Sequence, residues 1–263
     1  MLNFCPIVSL IALLGSLLVP FDLVYAQTLR PEPTLKLLTA GAFKQVVLTL
    51  LPAFQAQSGV KVEVTSDTVG GLVKRIDDGQ AFDVVFASQD GLKRLAASGH
   101  VRTDTITDIA SVGIGIGIRE GAVSPPLATT AQFIAALQAA RAIAYIDPAS
   151  GGSSGIYLDS LFQRLQIAEM VKPKAVLVPG GLAAERVARG EADIVLQQAS
   201  EILPVQGVVL VGELPAAIQS RTTYGGALGQ ASAMQQQGRA LLSAFAAASA
   251  APAIRAMGME PAR

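Results

Sequence analysis

From residue 35 onward, apolar positions follow two rhythms that take turns. Some stretches alternate apolar and polar residues or run apolar for five or six positions, as strands do. Others space apolar residues three or four apart, as helices do. LKLLTA (35–40) predicts a strand, and FKQVVLTLLPAFQAQSG (43–59) a helix stopped at Gly59. VKVEVTS (60–66) alternates like a strand, VGGLVKRIDDGQ (69–80) opens a short helix, and DVVFAS (83–88) reads as a buried strand. DGLKRLAASG (90–99) is a helix with a glycine stop. VGIGIGIRE (112–120) is a strand whose glycines let a backbone or a ligand come close. The series then repeats: a helix at 129–140 capped by Thr129 or Thr130, a strand at 142–147, a helix at 155–167, a strand at 175–180 and a helix at 181–190. Strands follow at 192–198, 208–214 and 222–229, and 232–258 is helical with a break near Pro252. Such alternation implies parallel sheets covered by helices on both faces. Two series predict an α/β protein of two lobes.

Ligands bind at the carboxyl ends of strands in sheets of this kind. Four strand-to-helix junctions are rich in small or hydroxyl residues: Thr39–Phe43, Thr65–Leu72, Asp147–Tyr157 and Pro179–Leu182. Each presents backbone N–H groups at the start of a helix, where the partial positive charge favours an anion. Four converging would hold an anion without a buried lysine or arginine.

Composition narrows the partner. Lys plus Arg and Asp plus Glu number 20 each, so the formal net charge is zero, and a nucleic-acid partner, which needs a basic surface, is not expected. Trp is absent and aromatics are 5% of residues, against a stacking site. Residues 1–26 read as a secretory signal: IVSLIALLGSLLVPF is the apolar stretch and VYA before Gln27 a small-x-small cleavage site. MLNFC carries no Lys or Arg, and the apolar run is short for a membrane span. Cleavage after Ala26 would remove the single cysteine, Cys5, leaving no thiol or disulfide chemistry. Residues 27–34 read as a linker. The mature chain is expected in the periplasm, without stable membrane insertion. No His, Cys and carboxylate cluster suggests a metal site, no GxSxG suggests a serine hydrolase, and GIGIG is not followed at once by a helix as a dinucleotide site requires. No cofactor is expected.

The segments LLTAGAFKQVVLTLLPAFQAQSGVKVEVT, GGLVKRIDDGQAFDVVFAS, IDPASGGSSGIYLDSLFQRLQI and RVARGEADIVLQQASEI, in this order and spacing, resemble periplasmic solute-binding proteins of the type II fold, most closely the molybdate-binding group. GGLAAERVARGEADIVLQQASEILPVQGVVLVG resembles the sub-branch that includes aconitate isomerase-like proteins. The resemblance implies two lobes around a ligand cleft: 27–110 with 225–263 returning to it, and 111–224. It places ligand contacts at Thr39, Ala42, Thr68, Val69, Ser153, Ser154, Gly180 and Gln198. The molybdate group has serines where this chain has Ala42 and Val69, a tyrosine where it has Gln198, and proline-alanine-glycine where it has Ser153-Ser154-Gly155. Fewer hydroxyls converging on one centre, with added amides and serines, suit a larger anion with separated carboxylates.

Two readings stand side by side. One is capture of a small multivalent anion, an organic acid or an oxyanion, with an ABC permease as partner if the role is import. The other is a cofactor-free isomerase of aconitate, which needs a base beside the substrate carbon and donors on its carboxylates. Glu201 is the best-placed base and Asp147 the second; Lys44, Arg119 and Arg221 are candidate cations. For Glu201 and Asp147 a helix cap or surface ion pair is the plainer role, and no motif stands behind the three cations. For Ser153 and Ser154 it is a helix cap, for Gln197 and Gln198 a sheet-end hydrogen bond, for Tyr157 packing, and for His100 an exposed loop. Tyr224 could face the cleft.

Overall fold

A computed structural model of the chain describes residues 1–2 and 33–262. The expected signal, Cys5 and all but the last two linker residues lie outside the described residues. The strands are β1 (Leu35–Ala40), β2 (Val62–Asp67), β3 (Val84–Ser88), β4 (Thr107–Arg119), β5 (Ile143–Ile146), β6 (Ala175–Val178), β7 (Ile194–Gln198), β8 (Val208–Glu213), β9 (Arg221–Leu228) and β10 (Glu260–Pro261). The helices are α1 (Gly41–Ser58), α2 (Val69–Asp77), α3 (Gln89–Ala97), α4 (Thr130–Ala139), α5 (Ser153–Arg164), α6 (Ala168–Val171), α7 (Ala184–Ala188), α8 (Ala199–Ile202), α9 (Gln235–Ala246) and α10 (Ala251–Ala256).

The sheet order is β2-β1-β3-β9-β4-β7-β5-β6, with β8 and β10 also pairing to β4. β1, β2 and β3 run parallel, and so do β5, β6 and β7. Between these parallel groups lie β9 and β4, both antiparallel to their neighbours. β4 is long because it serves both groups. Its residues Thr107–Gly113 pair with β9, and from Ile114 it pairs with β7. Its early polar residues hide that length from a hydrophobic pattern, so the sequence suggests only 112–120. The glycines in its second part are tightly packed: a Cβ at Gly115 would lie 2.5 Å from Leu210 Cδ1, and one at Gly117 2.7 Å from Val195 Cγ1. This answers for the close approach that the alternating glycines suggest.

Apolar faces explain the helices. α1 buries Phe43, Val46, Val47, Leu51 and Phe54, which recur at helical spacing, and ends at Gly59 in the left-handed conformation with φ 69°. α2, α3 and α4 are capped by the side chains of Thr68, Ser88 and Thr129. The core under β1, β3 and β9 is built on Phe43, Phe86 and Phe245, with ring centroids 5.0 Å apart for Phe43 and Phe86 and 4.9 Å for Phe86 and Phe245. Tyr224 stacks on Phe43 at 6.4 Å, which fixes its ring at the end of that core. A separate cluster around Phe133, Tyr145, Leu158 and Phe162 fills the space between α4, α5 and β5.

Where the structure departs from the pattern, the elements are short. α7 spans five residues rather than 181–190, because Gly181 turns at φ 81° before it can start. α6 and α8 have four residues each, too few to show a helical period. The tail breaks at Ala247, and Pro252 sits in the first turn of α10, where its missing N–H costs nothing.

Gly155 sets how closely α5 approaches β5. A Cβ there would run into the backbone oxygen of Ile146. Backbone cannot swing aside as a side chain does, so Gly155→Ala should cost about 1–3 kcal/mol through displacement of α5. Urea unfolding of the two proteins measures it.

Candidate functional site

Five strand ends open into one cavity. The carboxyl ends of β1, β2, β5, β6 and β7 deliver Ala40–Ala42, Ser66–Val69, Gly152–Ser154, Gly180–Leu182 and Gln198 to its wall. Its volume is about 340 Å³. The four junctions singled out in the sequence are therefore brought together. The fourth is a glycine turn rather than a helix start.

Caps distinguish the helices that point here. α1 begins after Ala40 and α5 after Gly152, and neither receives a side-chain cap. Their first-turn N–H groups have no intrahelical partner, and no capping oxygen supplies one. Both ends combine free donors with the positive end of a helix dipole, which suits carboxylate or oxyanion ligands. α2, also on the wall, is different: the Thr68 hydroxyl accepts from Gly71 N at 3.0 Å. That hydroxyl donates in turn to Ser150 O at 2.6 Å. Beside it, Gly70 N donates to Gly151 O at 3.1 Å. A Cβ on Gly70 would lie 2.7 Å from Gly151 Cα, so only glycine allows α2 and the Pro148–Gly151 turn to meet over the cavity. On the opposite side Ser200 Oγ donates to Ala42 O at 2.7 Å, tying α8 to the start of α1.

Glu201 stands on the cavity wall with its residue surface only 7% exposed. Its carboxyl packs against Gly41: a Cβ there would lie 2.7 Å from Glu201 Oε1. Burial pushes its pKa up from 4.5 to about 8, an effect that the Gln197 amide partly offsets. At neutral pH the group is therefore mostly a neutral acid, yet it can ionise within the physiological range. Across the cavity Tyr224 is buried, and its phenol is pushed well above the usual tyrosine range by burial and then by the nearby Glu201 charge. It stays a neutral hydroxyl, in hydrogen-bonding reach of Ser153 and Gln198. Gln198 Nε2 donates to Thr222 Oγ1 at 3.1 Å and reaches the Tyr224 hydroxyl at 3.5 Å, while its buried Oε1 has no partner.

Among the described residues, two basic ones reach this cavity. Arg75 is held by Asp67, Nε to Oδ2 at 2.6 Å. Lys44 lies on α1, half-buried, and among the described residues no carboxylate is within 4.0 Å of it. The Arg75–Asp67 pair has no signature in the sequence. A strand end and a helix eight residues later reveal nothing until they are packed.

The residues expected at the site separate as follows. Ala42, Thr68, Val69, Ser153, Ser154, Gly180, Gln198 and Glu201 are all on the wall. Thr39 is fully buried beneath it, its hydroxyl donating to Ala40 O at 3.2 Å. Gln197 braces the glycine turn, accepting from Ala183 N and donating to Gly181 O, each at 2.8 Å, and its amide also touches the Glu201 carboxyl from behind the wall. Asp147 accepts from Ala149 N at 2.9 Å and caps its own turn. Tyr157 donates to Ile218 O, His100 pairs with Asp77, Arg221 with Glu213, and Arg119 donates to Val187 O.

The family model for bacterial extracellular solute-binding proteins matches residues 35–260. The chain belongs to that family. It is 33% identical over 262 residues to an aconitate isomerase from Pseudomonas sp, covering 97% of each chain. Among solved structures it resembles the periplasmic molybdate-binding protein of Azotobacter vinelandii, with a TM-score of 0.72, 19% identity, and coverage of 87% of this chain and 100% of that one. A sulfate-binding protein of Mycobacterium tuberculosis follows, with a TM-score of 0.69, 16% identity and coverage of 87% and 86%. The fold is thus the type II periplasmic-binding-protein fold that the segment order suggests. In this chain the wall combines helix-start donors with the buried acid Glu201.

That acid links stability to pH. Its folded pKa lies above its unfolded one, so between them the folded protein binds more protons. Stability is full below about pH 4.5 and falls as pH rises toward 8. At about 1.36 kcal/mol per pH unit, the loss is capped near 5 kcal/mol. Glu201→Gln removes the term: the variant should gain on the wild type in melting temperature from pH 5 to pH 8.5. A constant gap would contradict it.

Proposed function

We propose that the cavity captures a small tricarboxylate between two lobes, 27–110 with 225–263 and 111–224, and interconverts trans- and cis-aconitate. Residues 1–26 would direct export to the periplasm. The observation that carries the reading is Glu201: a buried ionisable carboxyl, pushed up to about 8, on the same wall as the separated donor groups at the starts of α1 and α5. The 33% identity to an aconitate isomerase supports it along nearly the full chain.

The chemistry asks little else. Aconitate carries a methylene and an alkene carbon on either side of a central carbon. Taking a proton from the methylene and returning one to the alkene carbon moves the double bond across the centre and allows the other geometry. Atoms and electrons balance without any redox step. Glu201 in its ionised form takes the proton, and as the acid it returns one. A base with a pKa near 8 is better matched to a carbon acid than an ordinary carboxylate. Charge delocalised into the substrate carboxylates is met by the N–H groups of α1 and α5, fixed in place before reaction. Tyr224, held neutral, adds a hydroxyl donor on the Ser153 side.

A second reading, capture for an ABC permease without turnover, is favoured by family membership. Incubation of the purified protein with trans-aconitate decides between them. The isomerase reading expects the cis isomer, a kcat/KM that rises to a plateau with an apparent pKa near 8, and a loss of at least about a hundredfold in Glu201→Gln. Tight binding without turnover would leave the receptor reading. The absence of both binding and turnover would sink the tricarboxylate reading altogether.

A further inference from the structure

We infer that Lys44 seats one carboxylate of the ligand and makes the cavity prefer three carboxylates to two. This rests on the tricarboxylate reading above and names the residue that sets its charge selectivity.

Lys44 follows Gly41 by three positions on α1, so both lie on one face of the helix, about one turn apart. Gly41 is where the Glu201 carboxyl rests. Lys44 and Glu201 thus flank the same first turn, yet they form no ion pair. The other cation on the wall, Arg75, already has Asp67 at 2.6 Å. Lys44 is left as a half-buried residue on the wall with no carboxylate within 4.0 Å among the described residues. An anion entering beside it gains a charge-assisted hydrogen bond that no protein carboxylate contests. Three groups are then available to a ligand on this wall: the N–H donors of α1, those of α5, and the Lys44 ammonium. Each can take one carboxylate. The neutral helix ends serve a dicarboxylate as well as they serve a tricarboxylate, whereas Lys44 rewards the third charge.

The test uses propane-1,2,3-tricarboxylate, which has no double bond to move, so binding is read apart from turnover. Glutarate and methylsuccinate are the same carbon chain with one carboxyl removed. Calorimetric titration of the wild type should give at least a tenfold preference for the tricarboxylate. Lys44→Gln should weaken the tricarboxylate by about 10–100-fold, in line with the loss of a charge-assisted hydrogen bond, and cut the preference to within about threefold. Lys44→Arg should restore it. Lys44→Met, which keeps the aliphatic stem, replaces Gln if thermal melting shows that Gln disturbs α1. An unchanged preference in the Gln or Met variant overturns the role of Lys44 while leaving the tricarboxylate reading intact. A wild type that binds none of the tricarboxylate overturns both.

Discussion

A carboxyl group pressed against the first turn of a long helix is the contact around which the cavity is arranged. Glu201 reaches Gly41 only because that residue lacks a Cβ. The α1 N-terminus attracts negative charge, while burial resists it, and burial dominates in holding the group neutral up to about pH 8. The balance matters for any anion that enters. A neutral Glu201 leaves the helix donors to the ligand, whereas an ionised one competes for them. On the proposed reading, the same group admits an anion in one state and acts as a base toward it in the other.

The sheet explains why an acid, two open helix ends and a glycine turn meet at all. β4 changes partners at Ile114, so parallel strands on either side of it point their carboxyl ends toward one space. Side-chain alternation does the rest on β7. Gln197 turns to one face and braces the Gly181 turn, while Gln198 turns to the other and joins Thr222 and Tyr224 at the cavity. α8 starts directly after Gln198, which carries Glu201 back over α1, and Ser200 bonds that helix to Ala42. The phenylalanine cluster behind Tyr224 holds its hydroxyl at the wall with no loop to adjust.

Much of this was legible beforehand, and the reasons differ by residue. The strands and longer helices follow from apolar period, and the glycine and serine junctions follow from the need for donors at strand ends. The elbow at 147–157 is on the wall through Gly152, Ser153 and Ser154, although Asp147 at its head caps a turn instead. Glu201 could be named as a candidate, but its burial could not be read, because α8 is too short to show a buried face. The Arg75–Asp67 pair, and the lack of a carboxylate beside Lys44 among the described residues, depend on which charges pack together, and that is set by the fold rather than by spacing. Thr39 illustrates the converse: its place near the end of the first strand suggests a ligand contact, but both faces of β1 are buried there and its hydroxyl is enclosed.

The central claim is that one buried carboxyl is neutral at low pH and titrates near the working range. Carbon-13 labelling of glutamate side chains, with Glu201→Gln to assign the resonance, follows that carboxyl directly by NMR as pH is raised. A midpoint near 8 is the expected result. A Glu201 carboxyl that is already ionised at pH 6, with a midpoint near the ordinary 4.5, would contradict the account, since the group would then be a fixed anion facing an anion site.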